Sequence, residues 1–303
     1  MSSERPRVLV VHKKSAYQIY VRERRHPRVA SLLRRGSPVV AGLMRAHRDH
    51  TQTLKRAQQV LQRLGAQAVF RSRSDPSQVN GFDLVVTIGG DGTLLWASQM
   101  VRGDCPVIAI NSAPKDSVGY FCAGSSAELD DLLAAAFKGR LPETRLTRMQ
   151  VEIDGLPVYS RVLNDVLFSH PIPAATTRYA IRRNGRAEEQ RSSGVWIATA
   201  AGSTAAIHSA GGKVLPITSQ RLQFVVREPY EKRGVRYRML RGMIAPNERL
   251  EIECHMRSGR LYIDGPRIFR PVEIGSVLRM SRSGEPLHLL GFRSRTKRDQ
   301  AAE

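Results

Sequence analysis

The apolar residues of this chain change their period once, near residue 140, and a chain of this kind needs two structural layers of different class. Before the change, short apolar runs alternate with stretches of helical spacing. "RVLVV", "QAVFR", "FDLVVTI" and "PVIAIN" read as strands. "VVAGLMRAHRDHTQTLKRAQQVLQRLG" reads as a helix, with Val39, Leu43, Leu54, Leu61 and Leu64 near helical spacing and Gly65 as its stop. "GTLLWASQMV" and "SAELDDLLAAAFKG" read as two more, the second with a Ser start and a Gly end. Strands alternating with helices predict a parallel sheet wrapped by helices. After "RLPETR" only strand patterns follow, and Asp154-Gly155 marks a hairpin. The expected architecture is an α/β, Rossmann-like N-terminal domain over 1–140 and an all-β C-terminal domain over 141–286. Residues 287–303, which open with "LHLLGF", are expected to return to the first domain. The tail "RSRTKRDQAAE" is expected to be disordered.

A chain of 303 residues can bury two sizeable cores, and no unbroken apolar stretch approaches transmembrane length. Cys105, Cys122 and Cys254 are scattered without CxxC spacing, which excludes a disulfide scaffold and a cysteine zinc site and makes a reducing cytoplasm the expected compartment. The net charge is +21, and the first 75 residues hold 17 Lys and Arg against 4 Asp and Glu. Such a face suits nucleic acid, a membrane surface or a polyphosphate ligand. No nucleic-acid signature accompanies the charge, and aromatics make up only 6%, too few for stacking platforms. The expectation is a solvated basic face, with neither specific nucleic acid nor membrane as partner.

Three constellations carry chemistry. "TIGGDGT" follows a strand and precedes a helix, as a phosphate-gripping loop does. It lacks the Gly-Lys-Ser/Thr ending of a P-loop and the GxGxxG spacing of a dinucleotide loop. Asp91 as a simple helix cap accounts for one acid, but not for glycines 89, 90 and 92 around it. A carboxylate there makes sense if it handles a proton or a metal. Phosphoryl transfer to an alcohol needs an acceptor for the hydroxyl proton and Mg²⁺ to offset the triphosphate charge. "ATAAGSTAAIHSAGG" over 198–212 is nearly all small residues, so a flat ligand can lie on its backbone with Ser203, Thr204 and Ser209 as hydrogen-bond partners. "RVLNDVLFS" places Asn164 and Asp165 within a strand pattern, where both are poor formers. They chelate a ribose diol or make a turn.

The three together, in this order, resemble the NAD kinases, which transfer phosphate from ATP to the 2′-hydroxyl of the adenosine ribose of NAD. Within that family the likeness is to the plant-type NADH kinases and their mitochondrial relatives, through "INSAPKDSVGYFC", "RSSGVWIATAAGSTAA", "LQFVVREP" and "LYIDG". The resemblance implies an α/β domain and a β-rich domain with the active site between them, in a homodimer or homotetramer. It implies Asp91 as proton acceptor, Gly89, Gly90, Gly92 and Thr93 on the phosphate side, and ATP with Mg²⁺ or another divalent cation. Asn111, Asn164, Asp165, Gly202, Ser203, Thr204, Ala205 and Ser209 are assigned to the ligands, NAD⁺ or NADH with ATP.

This chain departs from the family pattern at several places. Asp165 stands where Glu is usual, Thr204-Ala205-Ala206 where Thr-Ala-Tyr is common, and Ser193 where an Asp is usual. Pro114, Lys115 and Asp116 interrupt the stretch from Asn111 to Phe121. These departures lean the acceptor towards NADH. Asp264-Gly265 in "YIDGP" reads as a hairpin turn. Two competing functions are a lipid kinase of the diacylglycerol type, which shares the GGDGT loop, and a basic, non-enzymatic nucleic-acid-binding protein.

Overall fold

The computed structural model describes residues 5–73, 81–230 and 236–292; the tail after residue 292 lies outside them. The chain forms two compact units, one of residues 1–144 with 288–303 and the other of residues 145–287.

The first unit is a sheet flanked by helices. Its strands are β1 (Arg7–His12), β2 (Gln67–Ser72), β3 (Leu84–Gly89), β4 (Val107–Asn111) and the two-residue β5 (Gly124–Ser125), with β6 (Glu143–Leu146) at one edge. β1 pairs in parallel with both β2 and β3, and β3 with β4. Parallel strands buried on both faces need continuous apolar runs, and β3 and β4 are buried at every position. The helices are α1 (Pro27–Arg34), α2 (Ala41–Arg63), α3 (Asp91–Ser98) and α4 (Leu129–Phe137). The long helix starts at Ala41 rather than Val39, because Pro38–Val40 form a 3₁₀ turn whose Pro38 fixes the entry. α4 starts at Leu129 rather than at Ser126, which lies in the turn before it, where the neighbouring Ser125 N–H donates to the Glu128 carboxylate (2.8 Å). Gly139, with φ +61°, ends it in the left-handed conformation that favours glycine. Ala57, Val60 and Leu61 of α2 and Leu129 and Leu133 of α4 share one core with Val8, Val10, Val86 and Ile108 of the sheet.

The second unit consists of two six-stranded antiparallel sheets. One holds β7 (Met149–Ile153), β8 (Leu156–Val162), β10 (Thr177–Arg183), β11 (Arg186–Ser192), β15 (Arg249–Cys254) and β18 (Val277–Arg282). The other holds β9 (Asp165–Ser169), β12 (Gly194–Ala198), β13 (Leu222–Arg227), β14 (Arg241–Ile244), β16 (Gly259–Ile263) and β17 (Ile268–Val272). Alternate residues of both sheets, among them Val151, Ile181, Ile252 and Leu278 from the first and Phe168, Ile197, Phe224 and Leu261 from the second, form a single core. The Asp154-Gly155 hairpin is a two-residue turn with φ of +52° and +81°, the paired left-handed conformation that suits the strand twist. The last strand, β19 (Leu287–Leu290), pairs in parallel with β4 and so belongs to the sheet of the first unit.

Candidate active site

The strand order β2-β1-β3-β4 reverses direction at β1: the chain moves to one side for β2 and to the other for β3. In parallel α/β sheets, ligands bind outside the carboxyl ends of the strands at such a switch point. The loops after β1 and β3 flank it. After β3 comes the GGDGT loop, with Gly90 in extended backbone (φ −115°, ψ −168°) as N-cap and Asp91 as the first residue of α3.

Asp91 does not cap its own helix. Its carboxylate reaches the loop that follows β4, where Oδ2 accepts from Tyr120 N–H and Oδ1 from Phe121 N–H, each at 2.9 Å. Each oxygen thus keeps a lone pair for another donor. The three glycines serve different ends. A Cβ at Gly89 would collide with Thr93 Oγ1, and one at Gly90 with Ser117 Oγ, so both are required for packing. Gly92 is exposed, and a Cβ there would have only Arg73 Nη1 nearby, at 3.8 Å. It leaves open space over the first turn, where Thr93 N–H donates to Gly90 O (2.8 Å) while the N–H groups of Asp91 and Gly92 precede any intrahelical acceptor. Thr93 Oγ1 is buried without a hydrogen-bond partner among the described residues. Asn111 is engaged within the loop: its Nδ2 donates to Ser117 O (2.8 Å) and its Oδ1 accepts from Ala113 N–H (3.1 Å). It shapes the loop that holds Asp91, and Gly119 (φ +62°) packs against its amide.

Two cations that sequence reasoning missed stand at the same sheet edge. Lys13 follows β1 and Arg73 follows β2, and Arg73 N–H donates to the carbonyl of His12 (2.8 Å). Burial, followed by the nearby Arg73 guanidinium, holds the Lys13 ammonium below its ordinary pKa. Two cations in mutual repulsion at a glycine loop suit a multiply charged anion. The backbone at Lys13 is pinned by His50 of α2: Nε2 lies 2.7 Å from Lys13 O, and Nδ1 lies 2.8 Å from Ser112 Oγ. A carbonyl only accepts, so Nε2 carries the proton and Nδ1 accepts from the Ser112 hydroxyl. Burial pushes the His50 imidazole down to about 4, in keeping with this neutral tautomer.

In the second unit, the Asn164-Asp165 pair sits at the junction between β8 and β9 rather than inside a strand, since β9 begins at Asp165. The small-residue run meets it there. Gly202 lies so close that a Cβ would collide with the carbonyl of Asn164, and Thr199 Oγ1 donates to the carbonyl of Leu163. The hydroxyl of Ser203 is wholly buried, donating to Ala200 O (2.7 Å) and accepting from Leu215 N–H (3.0 Å). Ser203 thus lies inside the 3₁₀ turn Ala201–Thr204 and pins it to Leu215. Thr204 and Ser209 are exposed, and Ala205 is half-buried. Asn164 Oδ1 is buried without a hydrogen-bond partner among the described residues, an acceptor awaiting a donor. Burial, with Asp264 beside it, pushes the Asp165 carboxyl up to about 7. Asp165 also lines a cleft of about 500 Å³ with Trp196, Tyr262 and Arg227, on the outer side of its sheet.

Among the described residues, no group of three or more His, Cys, Asp or Glu side chains converges as a metal cage. Nor is any described helix long and apolar enough to cross a membrane.

The model of the ATP-NAD kinase N-terminal domain matches residues 8–141. The probable NADH kinase of Oryza sativa subsp. japonica is 33% identical over 265 residues, covering 80% of this chain and 82% of that protein. The NADH kinase of Arabidopsis thaliana is 31% identical over 263 residues, covering 79% and 83%. The chain belongs to the NAD kinase family. It is thus an enzyme, an NAD(H) kinase with ATP as phosphate donor, and the lipid-kinase alternative falls. In fold it is similar to an NAD kinase from Archaeoglobus fulgidus solved with ATP (TM-score 0.68, 21% identity, 97% of this chain and 96% of that one). It is similar also to yeast NADH kinase solved with NADH (TM-score 0.67, 18% identity, 99% and 86%). These likenesses agree with an α/β unit joined to a β-rich one.

Proposed function

We propose that the chain transfers the γ-phosphoryl group of Mg·ATP to the 2′-hydroxyl of the adenosine ribose of NADH, with NAD⁺ as a second acceptor. The observation that carries this reading is the Asp91 carboxylate, fixed by two backbone N–H groups in a glycine loop at the switch point of the sheet. In the transfer, the 2′-oxygen bonds to the γ-phosphorus, the bond from that phosphorus to the ADP oxygen breaks, and the hydroxyl proton goes to Asp91. Lys13, Arg73 and the first-turn N–H groups of α3 attract the donor phosphates. A divalent cation on the triphosphate offsets its charge.

Asn164 and Asp165 hold the acceptor's ribose hydroxyls, and the exposed Thr204, Ala206 and Ser209 of the following run support the rest of the dinucleotide. The preference for NADH rests on the shorter acid at Asp165, on Ala206 in place of an aromatic ring, and on the resemblance to NADH kinases of rice and Arabidopsis. The enzyme works as a homodimer or homotetramer in the cytoplasm, in line with its family and with three cysteines scattered without CxxC spacing.

The test is an ATP-dependent assay with NADH, NAD⁺ and diacylglycerol as separate acceptors, with the position of the new phosphate read by phosphorus NMR. NADH is expected to give the highest kcat/KM, with phosphate on the 2′ position. Turnover of neither dinucleotide, or phosphate at another position, overturns the reading.

A further inference from the structure

We infer that Asp264 is a positioning residue for the dinucleotide: its carboxylate sets the backbone that presents Asn164 and Asp165. This rests on the reading of those two residues as ligand groups. Asp264 opens the four-residue turn between β16 and β17, and as a turn residue alone it would have no further task. Its carboxylate, however, accepts from three consecutive N–H groups across the sheet. Leu163 N lies 3.1 Å from Oδ2, Asn164 N lies 2.7 Å from Oδ1, and Asp165 N lies 3.3 Å from Oδ1. In return Asp264 N–H donates to the carbonyl of Asp165 at 2.9 Å.

Leu163 and Asn164 fall between β8 and β9. A carboxylate is well matched to such successive N–H groups, which form an anion-binding nest. The opposite side of the same peptides is also held, since Thr199 N–H donates to Asn164 O at 3.0 Å and Thr199 Oγ1 donates to Leu163 O. The N–H and C=O groups of residues 163–165 are thus all committed, while the Asn164 side-chain oxygen has no hydrogen-bond partner among the described residues. Asp264 pays for this with a left-handed backbone (φ +46°), a conformation that Asp tolerates better than most residues. The fully buried Arg148 supplies compensating positive charge to Asp264. The geometry thus spends conformational strain, a buried cation and three hydrogen bonds on one junction.

The test uses the full chain as Asp264→Ala and Asp264→Asn, read by hydrogen exchange of the peptide covering 163–165, by NADH fluorescence titration, and by steady-state kinetics. Asp264→Ala is expected to lose protection in that peptide. It should weaken NADH binding by about tenfold or more, the scale of one lost charge-assisted hydrogen bond. The KM for ATP should stay within about twofold of the wild-type value, well below that tenfold step. Asp264→Asn, which keeps an acceptor oxygen, should recover part of both losses. If the alanine variant does not fold, the asparagine variant alone decides, by an NADH affinity intermediate between wild type and no binding. Faster exchange at 163–165 with unchanged NADH affinity, or unchanged exchange, overturns the inference. Wild-type protein that neither binds nor phosphorylates NADH overturns the functional reading instead, while the exchange result still reports on Asp264.

Discussion

Gly202 and Asn164 are in backbone contact: the position of a Cβ on Gly202 is occupied by the carbonyl, carbonyl carbon and Cα of Asn164. Two sequence motifs about forty residues apart are thereby welded into one ledge. Gly202→Ala is expected to destabilise the protein by about 1–3 kcal/mol, the usual cost of overpacking, because main chain cannot swing aside as a side-chain tip can. Thermal denaturation checks this, and an unchanged melting temperature would remove the contact from the account.

Asp91→Asn should leave the fold intact, since the amide oxygen still accepts one of the two N–H groups that now hold the carboxylate. The reaction then lacks a proton acceptor, and kcat should fall by roughly 10²–10⁴. The companion change Gly92→Ala meets only Arg73 Nη1, at an ordinary contact distance of 3.8 Å, so it should keep the melting temperature while lowering turnover. An Asp91→Asn enzyme with most of its kcat would exclude the proposed base.

Lys13→Met should raise the KM for ATP by about tenfold, as loss of one charged phosphate contact does, and leave the NADH dissociation constant within about twofold. Arg73→Gln should act in the same direction. A change confined to the NADH constant would place these cations elsewhere in the mechanism.

The alternation of strands and helices, and then of strands alone, was legible because period follows from which faces are buried. Even the return of Leu287–Leu290 to the first sheet showed as an apolar run after the β-rich half. The site was less legible. Lys13 and Arg73 are two of 48 basic residues, and only the strand order makes neighbours of their loops. Asp264 carries an ordinary turn signature, which hides the carboxylate's cross-sheet bonds. Ser203 reads as a ligand group by type, yet its hydroxyl is buried inside a 3₁₀ turn. Local chemistry names residues; topology decides which way they serve.

His50 ties the pH response of the first unit to Lys13. Its imidazole titrates near 4 in the folded state and near its ordinary value when unfolded, so between those limits the unfolded chain binds the extra proton. The contribution of His50 is therefore full above the unfolded value and is lost as pH falls towards 4. His50→Gln should show a shallower loss of stability than wild type between about pH 6.5 and 4 in denaturant titrations. Parallel curves would mean that His50 does not stay neutral in the fold.

Asp165 responds in the opposite sense. Burial and Asp264 keep its carboxyl protonated up to about 7, whereas the unfolded chain releases that proton near the ordinary carboxylate value. Between these limits the folded state holds the extra proton, so this group's contribution to stability falls as pH rises from about 4 to 7 and is constant beyond. Glu248 does not interfere, because its pairing with Arg183 keeps it ionised down to about 2 and its effect lies at lower pH. Asp165→Asn is isosteric and does not titrate, so the stability difference between variant and wild type should widen in the variant's favour across that window. Urea midpoints measured at pH 5, 6 and 7 give that difference directly. A constant difference would mean that Asp165 is ionised throughout, and that the ledge meets the dinucleotide with a full negative charge rather than with a shared proton.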